Sequence, residues 1–379
     1  MLTFAISWEL WLRTQSAFAL GMVGLVQVLP VILLSLPGGH FADQHNRRNI
    51  IIVTQLVFAL CSLGLAFLSW TEGPLTLIYA CLLIIGITRA FNDPAASTLT
   101  PSVVPSDLFA NAATWSSGVW QVAAITGPTV AGIWVATLGN VSGIYVFDAC
   151  ATLTFVVLVS LMQGRPMPLA RKTATLDSLL DGFRFMRASK VILAAITLDM
   201  FAVLFGGATA LLPIYATDIL KVGPQGLGIL RAAPSVGALI MAFALAHLPP
   251  FKQAGKTLLI AVSGFGLATI IFGVSTSFWL SVAMLALLGG LDNISVVIRH
   301  TLVLARSPDE MRGRVSAVNS VFISISNEMG AFESGFVASL VGPVLTVVGG
   351  GVGTILVVLI VAWVWPEMRA MKSLTAEEA

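Results

Sequence analysis

The sequence predicts an all-α protein that crosses a membrane many times, and three observations carry that prediction. Hydrophobic residues make up 57% of the chain and charged residues only 10%, whereas a soluble globule carries roughly a quarter charged. The apolar residues come in long uncharged runs, such as 21–36 and 50–70. A helix of about 20 such residues crosses a ~30 Å hydrocarbon core. Lysine and arginine, finally, gather on alternate connections between those runs.

Residues 1–12 are apolar but too short to span, and Trp8, Glu9 and Trp11 suit a helix end that reaches the interface. With no basic opening and no small-residue cleavage site, the segment is a poor signal peptide and reads as the second half of a first helix. Full spans follow at about 17–39, 49–70, 75–97, 109–137 and 142–163. The first two are joined by Leu36-Pro37-Gly38-Gly39-His40-Phe41-Ala42-Asp43-Gln44-His45-Asn46-Arg47-Arg48, which reads as a tight turn. Its glycines allow two helix ends to approach, and Asp43 can accept hydrogen bonds from N–H groups opening a neighbouring helix.

A polar stretch, 164–190, then interrupts the pattern. Leu176, Leu179, Leu180, Phe183 and Met186 recur there at helical spacing, which predicts an amphipathic helix lying on the membrane surface. Further spans follow at about 191–217, 224–248, 257–274, 277–301, 314–340 and 342–365, for a total of eleven full helices and a fragment. The organisation expected is an N-terminal bundle at 1–163, a linker at 164–190, a C-terminal six-helix bundle at 191–366 and a tail at 367–379. Most of the 20 basic residues border the 40–48, 164–190, 249–256 and 303–313 loops or the tail, so these should face the cytoplasm. The halves echo one another: Pro105-Ser106-Asp107 matches Pro308-Asp309-Glu310, and the same offset aligns Thr98-Leu99 with Thr301-Leu302.

Several function classes are excluded. Cys61, Cys81 and Cys150 all lie in apolar runs, so no disulfide framework is implied, and the four histidines have no metal spacing. No phosphate-binding loop, dinucleotide turn or hydrolytic triad is present, so neither an enzyme nor a cofactor or nucleic-acid binder is expected.

The loop at 39–48 resembles the signature of the major facilitator superfamily, Gly-x-x-x-Asp-Arg/Lys-x-Gly-Arg/Lys-Arg/Lys. Gly39, Asp43, Arg47 and Arg48 match it, while Gln44 and Asn46 depart from it. In that family the motif latches the cytoplasmic gate. Further stretches are similar to one branch, the bacterial exporters related to the enterobactin exporter. They are Arg89-Ala-Phe-Asn-Asp93-Pro94-Ala95, Gly226-Leu-Gly-Ile-Leu-Arg231-Ala-Ala-Pro234-Ser-Val-Gly237-Ala, Arg312-Gly313-Arg314-Val315 and Asn327-Glu328-Met-Gly330-Ala-Phe-Glu333-Ser334-Gly335. Gly127-Pro128-Thr-Val-Ala131-Gly132 resembles the family's antiporter motif, with Ala131 in place of one glycine. The resemblance implies two six-helix bundles with a midplane substrate site, the first helix being truncated at its start. Members carry a full first helix before the position of Met1, so either translation begins upstream or half of a cavity-lining helix is missing.

Arg89, Asp93, Asp148, Asp199, Asp292, Glu328 and Glu333 sit well inside spans. An ionised side chain at the bilayer centre costs at least ~2.5–3.5 kcal/mol, so each should face a cavity or a partner. Glu328 lies about midway along its helix, where a carboxyl can be neutral or charged within one cycle, as a coupling site requires. Arg89 and Asp292 occupy equivalent positions in the two halves and are expected to pair across a central cavity or to tune a nearby proton site. With Glu328, Glu333 and Asp93 they form the set of proton-coupling candidates. Asp148 and Asp199 read as packing residues bonded to a neighbouring helix; Trp115, Trp120 and Trp134 read as packed side chains, the alternative being the lining of an aromatic drug pocket.

The function implied by the resemblance is proton-driven export of amphipathic small molecules, drug-like compounds or a siderophore, by a monomer in a bacterial cytoplasmic membrane. Two other readings stay open: a sensor or vestigial member that binds without turnover, and a facilitator or importer of the same fold.

Overall fold

The computed structural model describes residues 1–162, 176–249 and 251–372, and these residues form helices and short connections with no strand. Helix α1 (Leu2–Thr14) buries Phe4 through Trp11. This corrects the interfacial expectation: Trp8, Glu9 and Trp11 are each only 5% exposed. Glu9 tolerates burial because Arg13, one turn on, lies 2.6 Å away and the Tyr145 hydroxyl donates to it at 2.7 Å. Arg13 also donates to the carbonyls of Leu68, Ser69 and Gly73, at and just past the end of the third helix.

Helix α2 (Ala17–Gln44) is capped by Ser16, whose side chain accepts from the Ala19 N–H. It runs straight through the Gly38-Gly39 stretch that the sequence presents as a turn. The connection to α3 (Arg47–Trp70) is only His45 and Asn46, with Asn46 capping the Arg48 N–H. The reason lies at Gly38, where a Cβ would stand 2.3 Å from the Ala90 carbonyl oxygen. A continuous helix brings that bare backbone against the next span.

The first half continues with α4 (Leu75–Val103), α5 (Phe109–Leu138, with Pro128 inside) and α6 (Ser142–Leu161). Helix α7 (Leu176–Ala188) packs on α8 (Lys190–Phe205) and α13 (Asp309–Val341), with Met186 buried and Phe183 stacked on Phe322. Met186 is thus turned to protein, while Phe183 keeps 40% of its surface exposed. The side chains of Leu176, Leu179 and Leu180 lie outside the described residues.

The span expected at 191–217 is broken after α8 into a 3-10 turn at Gly207–Leu211, α9 (Leu212–Ile214) and a π turn at Tyr215–Ile219. The chain then forms α10 (Gly223–His247), α11 (Ala254–Val274), α12 (Phe278–Arg306), α13, α14 (Pro343–Val364) and α15 (Pro366–Ala370). Among the described residues, 10 segments are long and apolar enough to cross a membrane. Helix α13 realises the span expected at 314–340 but is not among them, because Asn327, Glu328 and Glu333 lower its hydropathy.

Within the first half α2 packs on α4, and α3 on α4 and α6; within the second, α12 packs on α10 and α11, and α11 on α14. Two seams join the halves, α2 against α13 and α5 against α10. Both are made where glycine leaves backbone bare. A Cβ on Gly335 would meet Gly21 Cα at 2.4 Å, and one on Gly132 would meet the Pro224 carbonyl oxygen at 2.5 Å and Gly228 Cα at 3.2 Å. These contacts lie towards the end of the bundle opposite the basic loops. One apolar core follows them, gathering α1 with parts of both halves. A second core sits at the basic end of the second half.

The tail completes that second core. Met368 and Met371 are buried there, and the N–H groups of Ala254 and Gly255 donate to the carbonyls of Lys372 and Met371, which caps α11. Outside the spans, Lys190 Nζ bonds Glu367 at 2.8 Å, and its ammonium holds that carboxyl below the ordinary carboxylate range. The sign follows: this contact is present at neutral pH and is lost only as acid protonates Glu367 below the ordinary carboxylate range. A Cβ on Gly255 would stand 1.8 Å from the Met368 carbonyl oxygen. Gly255→Val should therefore displace the tail and lower stability by about 1–3 kcal/mol, the usual cost of overpacking. Thermal unfolding in detergent reads this, and a variant melting with the native chain would show that the tail is not seated there.

Candidate functional site

Near the inner limit of the α2–α13 seam, a basic side chain of the first half meets an acidic one of the second. Arg89 Nη1 lies 3.2 Å from Glu328 Oε1 and 3.5 Å from Gln27 Oε1, so α4, α13 and α2 converge on one guanidinium. Gly24 makes the approach possible, since a Cβ there would be 2.5 Å from the Glu328 carbonyl oxygen. The pair is not sealed: the Arg89 and Glu328 side chains remain 38% and 26% exposed. One turn along α4, Asn92 Oδ1 accepts from Thr54 Oγ1 at 3.1 Å and Gln55 Nε2 at 3.5 Å, which ties α4 to α3 beside the site. Asp93 is exposed and shares a hydrogen bond with the Asn92 side chain.

The expected pairing of Arg89 with Asp292 is not made. Equivalent depth in two halves does not set which faces meet; the α2–α13 seam turns Glu328 towards Arg89, while Asp292 points into the second half. There it lines a small cavity with Asp199 and Ser295. Glu333 accepts from Ser334 Oγ at 3.4 Å. Asp148 accepts from Ser62 Oγ at 2.7 Å, a helix-to-helix packing bond. Asp199 is bonded to Arg299 on α12, at 2.6 Å. Trp115 and Trp120, expected to be packed, are each 71% exposed.

Of the loop motif, Arg48 spends its guanidinium on the end of α6, donating from Nε to the Val159 carbonyl at 3.0 Å and from Nη2 to the Ser160 carbonyl. Arg47 is partnered as well. The Asp43 side chain lies outside the described residues. Gly39 has open space around it, and the close approach is made by Gly38. In the helix motif, Gly132 forms the α5–α10 seam, Gly127 lies against Met1, and Pro128 presents its carbonyl to Gly228.

Sequence reasoning missed two groups. Arg299 is 5% exposed inside α12; its signal in the sequence is Asp292, Ser295 and Arg299 recurring on one helical face. The other group links α1 to the second half: Arg231 Nη2 donates to Ser7 Oγ at 2.8 Å, and Trp11 Nε1 to Thr217 Oγ1 at 2.8 Å. Among the described residues no His, Cys, Asp and Glu cluster is placed to hold a metal.

Residues 1–378 match the family described as transmembrane secretion effector. The chain is 25% identical over 374 residues to the enterobactin exporter EntS of Escherichia coli O1:K1, covering 98% of this chain and 89% of that one. The same figures hold for EntS of Shigella boydii serotype 18. Among solved structures, a bacterial homologue of the human lysosomal transporter Spinster, inward-facing and unoccupied, aligns with a TM-score of 0.73 at 14% identity, covering 98% of this chain and 96% of that one. The nucleoside transporter NupG aligns with a TM-score of 0.71 at 12% identity, covering 96% and 94%.

Proposed function

Given that the chain belongs to the transmembrane secretion effector family of the major facilitator superfamily, we propose that this multi-pass membrane transporter exports amphipathic small molecules in exchange for protons. The observation that carries this reading is the Arg89–Glu328 pair. It is an ionic contact between the two halves, placed where the tight seam ends and still reachable by solvent. Its bond is strong while Glu328 is charged and is lost when Glu328 is neutral. One proton therefore decides whether the halves are tied at this point. The bundles at 1–163 and 191–366 would rock about this site, the linker and tail lying in the cytoplasm of a bacterial cell.

The geometry supports a cycle of alternating access. With the outer seams shut and Glu328 ionised, substrate enters from the basic, cytoplasmic end. Opening at the outer end releases substrate and admits a proton to Glu328, which frees Arg89. Return to the state described here discharges the proton inward and restores the pair. Relatives named as enterobactin exporters support a siderophore or another amphipathic compound of that size as cargo.

The test uses inside-out vesicles acidified within, to which siderophores and drug-like compounds are added. Substrate should discharge the proton gradient with the native chain, and Glu328→Gln should abolish the response while still inserting and binding substrate. An equal response in Glu328→Gln would remove this residue from the coupling path. Substrate flux that ignores the gradient would replace antiport with facilitated movement.

A further inference from the structure

A second ionic cluster lies wholly inside the C-terminal half and plays no part in the contact between halves. Arg299 Nη1 and Asp199 Oδ2 are 2.6 Å apart, with the side chains 5% and 7% exposed. Arg299 Nε also donates to Ser295 Oγ at 3.2 Å. Asp292, on the same face of α12 two turns earlier and only partly buried, lines a small cavity with Asp199 and Ser295, and this cavity has room for about one water. The remaining wall is apolar, including Val262 and Phe265 of α11 and Ala202 of α8.

The charge balance is what needs explaining. Among the described residues, the charged groups interacting here are Asp199 from α8 and Asp292 and Arg299 from α12. The lining of α11 is uncharged, and α10, α13 and α14 approach these helices through Gly237, Gly330 and Gly350. Two carboxyls thus face one guanidinium. With both ionised, a net negative charge would be left inside the span among largely apolar side chains, where an unpaired charge is costly. Two such acids at one site titrate as a unit and settle this by keeping a single proton between them.

We propose that Asp199, Asp292 and Arg299 form a proton-binding site in which the two carboxyls share one exchangeable proton through the water-sized cavity. Arg299 neutralises whichever carboxylate remains ionised. The ligand is a proton and not a metal cation, because the guanidinium already takes the place that a cation would fill. The site stands apart from Arg89 and Glu328: it belongs to one half and does not depend on antiport.

Infrared spectroscopy of the purified full chain tests this in water and in heavy water, with Asp292→Asn, Asp199→Asn and Glu328→Gln. The native chain should show a protonated-carboxyl band that shifts on deuteration. Because the proton is shared, either asparagine variant alone should remove that band, leaving the other acid ionised against Arg299. Glu328→Gln should leave it in place. Asp292→Glu, which keeps a carboxyl, should move the band without abolishing it, and this serves as the check should an asparagine variant misfold. Absence of the band in the native chain would overturn the proposal. So would its survival in either asparagine variant, or its loss in Glu328→Gln.

Discussion

Gly335→Leu is expected to stop transport and to open the outer end of the molecule. A Cβ at this position meets Gly21 Cα at 2.4 Å, its nitrogen at 2.5 Å and the Ala17 carbonyl oxygen at 2.7 Å, all of them backbone atoms that cannot rotate aside. The α2–α13 seam must therefore part. Overpacking of this kind costs about 1–3 kcal/mol. Each 1.4 kcal/mol is a factor of ten, so the closed arrangement should lose about 5- to 150-fold in relative population. A cysteine at Ala338, 5% exposed here, reports the change to a membrane-impermeant thiol reagent once Cys61, Cys81 and Cys150 are replaced. Labelling should be fast in Gly335→Leu and slow without it. Gly39→Leu is the control, since no atom lies within 4 Å of a Cβ there. Unchanged labelling and intact transport in Gly335→Leu would mean that this seam does not hold the halves together.

The largest loss of stability is expected at Arg299. Removing one partner of a buried ion pair strands the other charge, at a cost of about 3–5 kcal/mol. Arg299→Gln leaves Asp199 and Asp292 facing each other with no cation. The unfolding temperature should drop sharply, and Asp199→Asn in the same chain should recover most of the loss by removing the stranded charge. If the single variant were as stable as the native chain, the Arg299–Asp199 pair would have to be open to water.

Hydropathy marks nearly every span because lipid demands long apolar helices whatever their neighbours. Side-chain direction is another matter. Arg89 and Asp292 share a depth by internal repetition, but the partner of Arg89 is set by which faces of α2, α4 and α13 converge, and Gly24 and Gly21 control that convergence. The loop motif shows the same limit: Gly38 and Gly39 both suggest a turn, and only the Ala90 carbonyl beside Gly38 explains why the helix continues. Position near a helix end suggested an interfacial role for Glu9, and it is buried because Arg13, one turn on in the same helix, offsets its charge. The seams were the more legible part, since Gly132, Gly228 and Gly335 all fall within motifs that stand out in the sequence.

The docking of the tail on α11 carries a consequence for biogenesis. Ala254 and Gly255 open α11, yet the carbonyls that satisfy their N–H groups belong to Met371 and Lys372. Roughly 120 residues separate the two, and at ribosomal rates of about 5–20 residues per second the cap arrives on the order of ten seconds after the helix it closes. The second half must therefore wait in the membrane with one helix start uncapped. Its assembly is completed only after the last span has been made, which gives the C-terminal residues the place of a closing step.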